Sequence, residues 1–175
     1  MQKLVVFLVT ILIATLLISV YSIAQGLIIY SISPEFYTEI KFLQSDYNPL
    51  VIGSNHERVA ALEFFSNWWI GLIIGAVVGF TAMIYERPQN MTAAIRDAFL
   101  VIFCTIIFFN FIVFLIAKFF WAKTDATLKN TNYIPNRDDF IAAGYVHNLS
   151  YIAVIAGVIL AIIYILRKKS RLIER

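Results

Sequence analysis

Two histidines and a scatter of carboxylates hold the main prospect of chemistry in this chain. They are His56, Glu57, Glu63, Asp138, Asp139 and His147, with Glu35 and Glu39 nearby in sequence. His56, Glu57, Asp139 and His147 form the candidate metal set, because imidazole and carboxylate donors suit a divalent ion in a mixed nitrogen and oxygen shell. The same four residues are equally the basis of a ligand-binding or enzymatic site. His56-Glu57 is not followed by a histidine at the spacing of the zinc-protease helix motif. No residue is assigned as catalytic, and no particular cofactor is implied. Helix capping, surface solvation and ion pairs of Glu57 or Glu63 with Arg58 account for the same residues without any chemistry.

The elements that must position these groups are four long apolar runs, roughly 4–30, 64–85, 98–117 and 149–166. None contains Lys, Arg, Asp or Glu. A spanning helix needs about 20 apolar residues, and each run is near that length. The chain has 175 residues, 61% hydrophobic and 14% charged, well outside the usual balance of a soluble domain. The expected fold is therefore an all-α polytopic membrane protein: one domain of four transmembrane helices, with a short interfacial helix and ordered extracytoplasmic loops. Uncharged spans argue against a pump or coupled carrier, which generally needs a charge at bilayer depth. The basic residues form no stripe beside stacking aromatics, so no nucleic-acid partner is implied. The single cysteine, Cys104, cannot form an internal disulfide, which removes thiol oxidases and Cys-rich zinc sites. The first run continues past the usual length of a signal-peptide core, so a retained span is expected over a cleaved leader.

Charge next to the span ends sets the threading. Four spans put both termini on one side, with Lys3, Arg87, Arg96, Arg167, Lys168, Lys169, Arg171 and Arg175. By the positive-inside rule that side is cytoplasmic, in a bacterial cytoplasmic membrane. Residues of about 31–63 and 118–148 then face outward. In the first of these loops, Ser33-Pro34-Glu35 reads as a helix start: an N-cap serine, proline at the first helical position and an acid in the first turn. Residues 36–42 also alternate like a strand, and the helix is preferred. Tyr47-Asn48-Pro49 and Gly53 mark turns.

Ser54 and Glu57 have capping-box spacing. A helix from there to residue 85 would be about 46 Å long and should project outward, carrying His56, Glu57, Arg58 and Glu63. Asn136-Arg137-Asp138-Asp139 resembles a cap before the fourth helix, which carries His147 near its entry. Glu86-Arg87-Pro88-Gln89-Asn90 is a tight connector, with Asn90 or Thr92 expected to cap the third helix.

Gly71, Gly75 and Gly79 share one stripe of the second span, where another backbone can approach closely. The stripe serves either packing within the bundle or a seam to a membrane-protein partner or a second copy. Trp68, Trp69 and Trp121 are expected as interface anchors. Asn110 is expected to make an interhelical hydrogen bond. The leading functional expectation is non-enzymatic: a small accessory or scaffold protein in the lipid bilayer. The metal or ligand site is its competitor, and a lipid or small hydrophobe held between spans is a third option.

Three elements carry a resemblance. They are Ile32-Ser33-Pro34-Glu35-Phe36-Tyr37 with Lys41-Phe42, Arg58 with Ala60-Ala61 ahead of Trp68-Trp69-Ile70-Gly71, and His147-Asn148-Leu149-Ser150-Tyr151. Together they resemble uncharacterised small bacterial four-span integral membrane proteins. The resemblance implies no activity, but it marks Arg58, Asn148 and Tyr151, with His147, as a polar cap near the outer surface. Glu57-Arg58 after a long first loop is also similar to the membrane-associated glutathione-transferase and eicosanoid-enzyme family. The basic and Asn residues expected further along that helix are replaced by Leu62, Phe64 and Phe65, and Asn67 is out of step, so that likeness is set aside.

Overall fold

The structure, a computed structural model, describes residues 2–44, 53–124 and 134–173. Every element among them is helical. Helix α1 is Gln2–Ile32. A π-helical stretch, Phe36–Lys41, runs into Phe42–Gln44, and the two together are α2. Helix α3 is Asn55–Ala82, α4 is Pro88–Ile116, and α5 is Arg137–Ile173. Beyond Ile116, α4 continues through a second π-helical stretch, Ala117–Trp121, to Ala122–Thr124.

Helices α1, α3, the extended α4 and α5 are each long and apolar enough to cross a membrane. Their outer faces carry large apolar side chains such as Leu16, Val20, Phe80 and Phe108, each at least 65% exposed. So much bare hydrocarbon is unfavourable in water and ordinary against lipid. The chain is an integral membrane protein. Threonines within the runs hide their hydroxyls by donating to the carbonyl four residues back, as Thr10 does to Val6 and Thr105 to Val101.

Local signals set most helix ends. The α1 ladder stops at Ser33, because Pro34 has no N–H to continue it. The α2 helix that follows settles residues 36–42 as helix over strand. At the start of α3, Glu57 accepts the backbone N–H of Ser54 at 2.6 Å, one half of the expected capping box. Gly53 precedes it at φ +99°, where a side chain would be strained and would collide with Glu57. Asn136 donates to Asp139 ahead of α5. The turn expected at Tyr47-Asn48-Pro49 lies outside the described residues.

Two ends differ from expectation. Helix α4 begins at Pro88, so Asn90 and Thr92 lie inside the helix, not at its cap. Thr92 donates to the Pro88 carbonyl. Proline at the first position loses no hydrogen bond there, so the helix starts earlier. Helix α3 ends at Ala82 and not at Tyr85, because Tyr85 turns inward, 1% exposed, and donates to the Ile165 carbonyl at 3.0 Å.

The chain forms two compact units, each taking stretches from all four long helices. Unit 1 is Met1–Val20, Asn67–Ile107 and Ile152–Arg175. In it the glycine stripe of α3 lies against α1: a Cβ on Gly71 would sit 2.5 Å from Thr15 Cα, and one on Gly75 2.6 Å from Ile11 Cα. Gly157 of α5 approaches the Ile102 backbone of α4 similarly, at 3.3 Å. One end of the unit gathers the start of α1, the α3–α4 connector and the end of α5. There Lys3 donates to the Met83 carbonyl, Lys169 faces Glu86, and Lys168 pairs with Asp97 at 2.7 Å.

Unit 2 is Tyr21–Ser66 and Phe108–Tyr151. Its core is Ile29, Phe36, Tyr37, Val59, Leu62, Val113, Phe140, Ala143 and Val146. Asn110 donates to the Tyr21 hydroxyl at 2.7 Å, the expected bond between helices.

Candidate functional site

The chemistry collects in unit 2, around a buried carboxylate. Glu63 lies one residue before the apolar run of α3, on the face turned toward Val59 and Leu62. It is 4% exposed. Sequence reasoning expected it on a solvated projection. The physical reason for the difference is a supply of partners. Tyr37 of α2 donates its hydroxyl to Glu63 Oε1 at 2.8 Å, and His147 of α5 turns its Nδ1 toward the same oxygen at 4.0 Å. Gly26 of α1 makes the room, since a Cβ there would collide with Glu63 Cγ and press on the Tyr37 hydroxyl.

Beyond His147 lies Lys41, the last residue of the π-helical stretch, with Nζ 2.8 Å from Nε2. A lysine ammonium can only donate, so Nε2 accepts and the ring proton belongs on Nδ1, facing Glu63. The result is a relay of carboxylate, imidazole and amine drawn from α3, α5 and α2. Phe36 and Tyr151 flank the imidazole, with ring centroids 5.6 and 5.9 Å away. Ser150 donates to the His147 carbonyl.

One side of this relay opens on a cavity of about 440 Å³. Lys41, His147, Gln44 and Asn148 bring polar atoms to it, and Phe36 and Phe140 are among its apolar walls. Glu63 and Tyr37 do not line it. The cavity therefore meets the basic end of the relay, while the carboxylate stays behind the imidazole.

Burial lowers the Lys41 pKa below the ordinary lysine value of 10.5, with the Glu63 charge opposing the shift. Burial raises the Tyr37 pKa above the ordinary tyrosine value of 10.0, and the Glu63 charge pushes it the same way. Between the lowered lysine value and 10.5 the unfolded chain holds a proton that the folded chain has released. Stability contributed by Lys41 therefore rises with pH across that window. For Tyr37 the sign reverses, and stability falls as pH climbs past 10.0. The stability difference between wild type and Lys41→Met, measured by thermal unfolding in detergent, is expected to move in favour of wild type as pH approaches 10.5. A difference that stays flat over the alkaline range would contradict a desolvated ammonium at Lys41.

The four residues of the candidate metal set sit apart in role. His56 is exposed, its ring edge-on to Tyr30 at 5.0 Å. Glu57 caps α3. Asp139 pairs with Lys118 at 2.7 Å. His147 belongs to the relay. Among the described residues no three His, Cys, Asp or Glu side chains gather to hold a metal ion.

The polar cap divides as well. Arg58 lies over the Phe42 ring at 4.2 Å, Asn148 lines the cavity and Tyr151 abuts His147. Of the interface anchors, Trp68 and Trp69 are exposed, whereas Trp121 packs on Tyr145 with centroids 4.7 Å apart. Gly71, Gly75 and Gly79 bear on α1 in unit 1.

Sequence reasoning did not assign Tyr37, Lys41 or Gly26 to the site. Tyr37 and Lys41 stand four apart on the short helix, which was a usable signal for a shared face. The π-helical winding that carries Lys41 has no compositional mark. The chain matches no known protein family, no curated protein and no solved structure.

Proposed function

We propose that this integral membrane protein binds a small amphiphilic molecule through an anionic group, in the cavity over Lys41 and His147. The observation that carries this is a lysine and a histidine, both largely removed from water, meeting an otherwise mostly apolar cavity while their counter-carboxylate is kept out of it. Taking a lysine out of water costs stability, and a desolvated ionisable group in a cleft is a candidate for function. Lys41 has three N–H donors and gives one to His147, so the others can turn to a carboxylate or phosphate. Gln44 and Asn148 add amide hydrogen bonds, and the aromatic wall receives the apolar body, the usual composition of a ligand pocket.

We further infer a bacterial cytoplasmic membrane with both termini in the cytoplasm; the basic residues that flank the span ends support that orientation. A scaffold acting through the glycine stripe would need a free stripe, and its three glycines already bear on α1.

Thermal unfolding in detergent with a medium-chain carboxylate and the alcohol of equal length tests the proposal. The carboxylate should stabilise wild type and the alcohol should not. Lys41→Met should abolish the difference, and Asn148→Ala should weaken it. Equal shifts from acid and alcohol, or an undiminished shift in Lys41→Met, would remove the anion site.

A further inference from the structure

A second site, in unit 1 and independent of the Lys41 cavity, follows from where the helices pack tightly and where they do not. Glycine brings α3 onto α1 and α5 onto α4 at backbone distance. Between α1 and α4 there is no glycine, and bulky side chains meet instead. They leave a groove of about 540 Å³, walled by Val5, Val9 and Ile13 of α1 and by Phe99 and Phe103 of α4. Val5, Val9 and Ile13 are each more than 40% exposed. From Val5 to Leu17, which also lines it, the groove follows α1 for about 18 Å, close to the depth of one leaflet of a roughly 30 Å hydrocarbon core.

Charge marks one end of this groove. Arg96 lines it, with its side chain 74% exposed. The adjacent Asp97 bonds Arg96 at 2.9 Å but also takes Lys168 at 2.7 Å and the Tyr164 hydroxyl at 3.1 Å. One carboxylate is thus shared between two cations. Among the described side chains of unit 1, the charged residues are basic Lys3, Arg87, Arg96, Arg167, Lys168 and Lys169 against acidic Glu86 and Asp97. The rest of the unit is uncharged, so this end carries a positive surplus beside an apolar slot of leaflet depth.

We propose that the α1–α4 groove holds one acyl chain of an anionic phospholipid, with the lipid phosphate against Arg96. A slot for hydrocarbon alone would accept any lipid. The basic end selects the anionic one, as basic pockets between spans do for acidic headgroups.

The test is native mass spectrometry of protein extracted from bilayers of equal phosphatidylglycerol and phosphatidylcholine. Wild type should retain one phosphatidylglycerol in preference. Arg96→Gln should cut that preference about fivefold, the worth of one surface charge. Val9→Trp, which fills the slot, should lose the bound lipid whatever its headgroup. Independently of any variant, phosphatidylglycerol with a diazirine on its acyl chain should cross-link wild type within residues 5–17 or 95–103, and unlabelled phosphatidylcholine should compete poorly. Labelling spread evenly over the spans, equal competition by phosphatidylcholine, or unchanged selectivity in Arg96→Gln would overturn the site.

Discussion

Glu63→Ala should be the most damaging single substitution in unit 2, lowering stability by about 3 kcal/mol, the upper end of what leaving buried polar partners unsatisfied costs. The carboxylate accepts the hydroxyl of Tyr37, itself 0% exposed, and faces the imidazole that holds Lys41. Its removal leaves a buried hydroxyl without its acceptor and a desolvated ammonium without its counter-charge. Glu63→Gln keeps the shape and an acceptor for Tyr37 but drops the charge, so it should fall between wild type and Glu63→Ala. Tyr37→Phe removes only one neutral donor and should cost about 1–3 kcal/mol. Combining Lys41→Met with Glu63→Gln should recover part of the loss, because the pair is then deleted together. Chemical or thermal unfolding of detergent-purified variants reads all four. A Glu63→Ala protein as stable as wild type would dissolve the relay as a structural unit.

Gly71→Leu or Gly75→Leu should damage unit 1 in the same range or beyond. A Cβ alone would lie 2.5 Å from Thr15 Cα at Gly71, and 2.6 Å from Ile11 Cα at Gly75. Both obstacles are backbone, so helix α1 itself would have to move. Overpacking by even a methylene or two costs about 1–3 kcal/mol. In lipid the loss is not recovered by apolar burial elsewhere, because close packing is itself what holds helices together there. Gly79 differs, since its Cβ would meet the Phe7 ring at 2.9 Å, and a ring can turn aside. The alanine series should therefore rank Gly71→Ala and Gly75→Ala well below Gly79→Ala in melting temperature. Leucine at either of the first two positions should broaden the elution of the purified protein. Three alanine variants of equal stability would show that the stripe does not bear on α1.

The division between sequence and structure follows the range of the interactions. Four charge-free runs of spanning length are a property of consecutive residues, and so is the membrane assignment. Ser54 and Glu57 are three apart, and the cap they form depends on nothing distant. The glycine stripe needs only helical periodicity to be seen, though not to learn that α1 fills it. The relay is different. Tyr37 and Glu63 are separated by 26 residues, and Lys41 and His147 by 106. Their meeting depends on how α2, α3 and α5 align and on the room left by Gly26. The wider winding of Phe36–Lys41 is announced by no residue type.

Glu63 shows the limit most plainly. By sequence it was one more acid on the part of a helix expected to project from the membrane, and solvation was the economical account of it. Only packing could turn it inward, because the burial of a charge is decided by the partners that distant segments bring to it. Consecutive residues alone were enough for a four-helix membrane protein, for the helix starts at Ser54 and Asn136, and for the glycine face of α3. Which ionisable groups leave water, which pair, and where a cavity opens beside them depend on helix packing over long sequence separations.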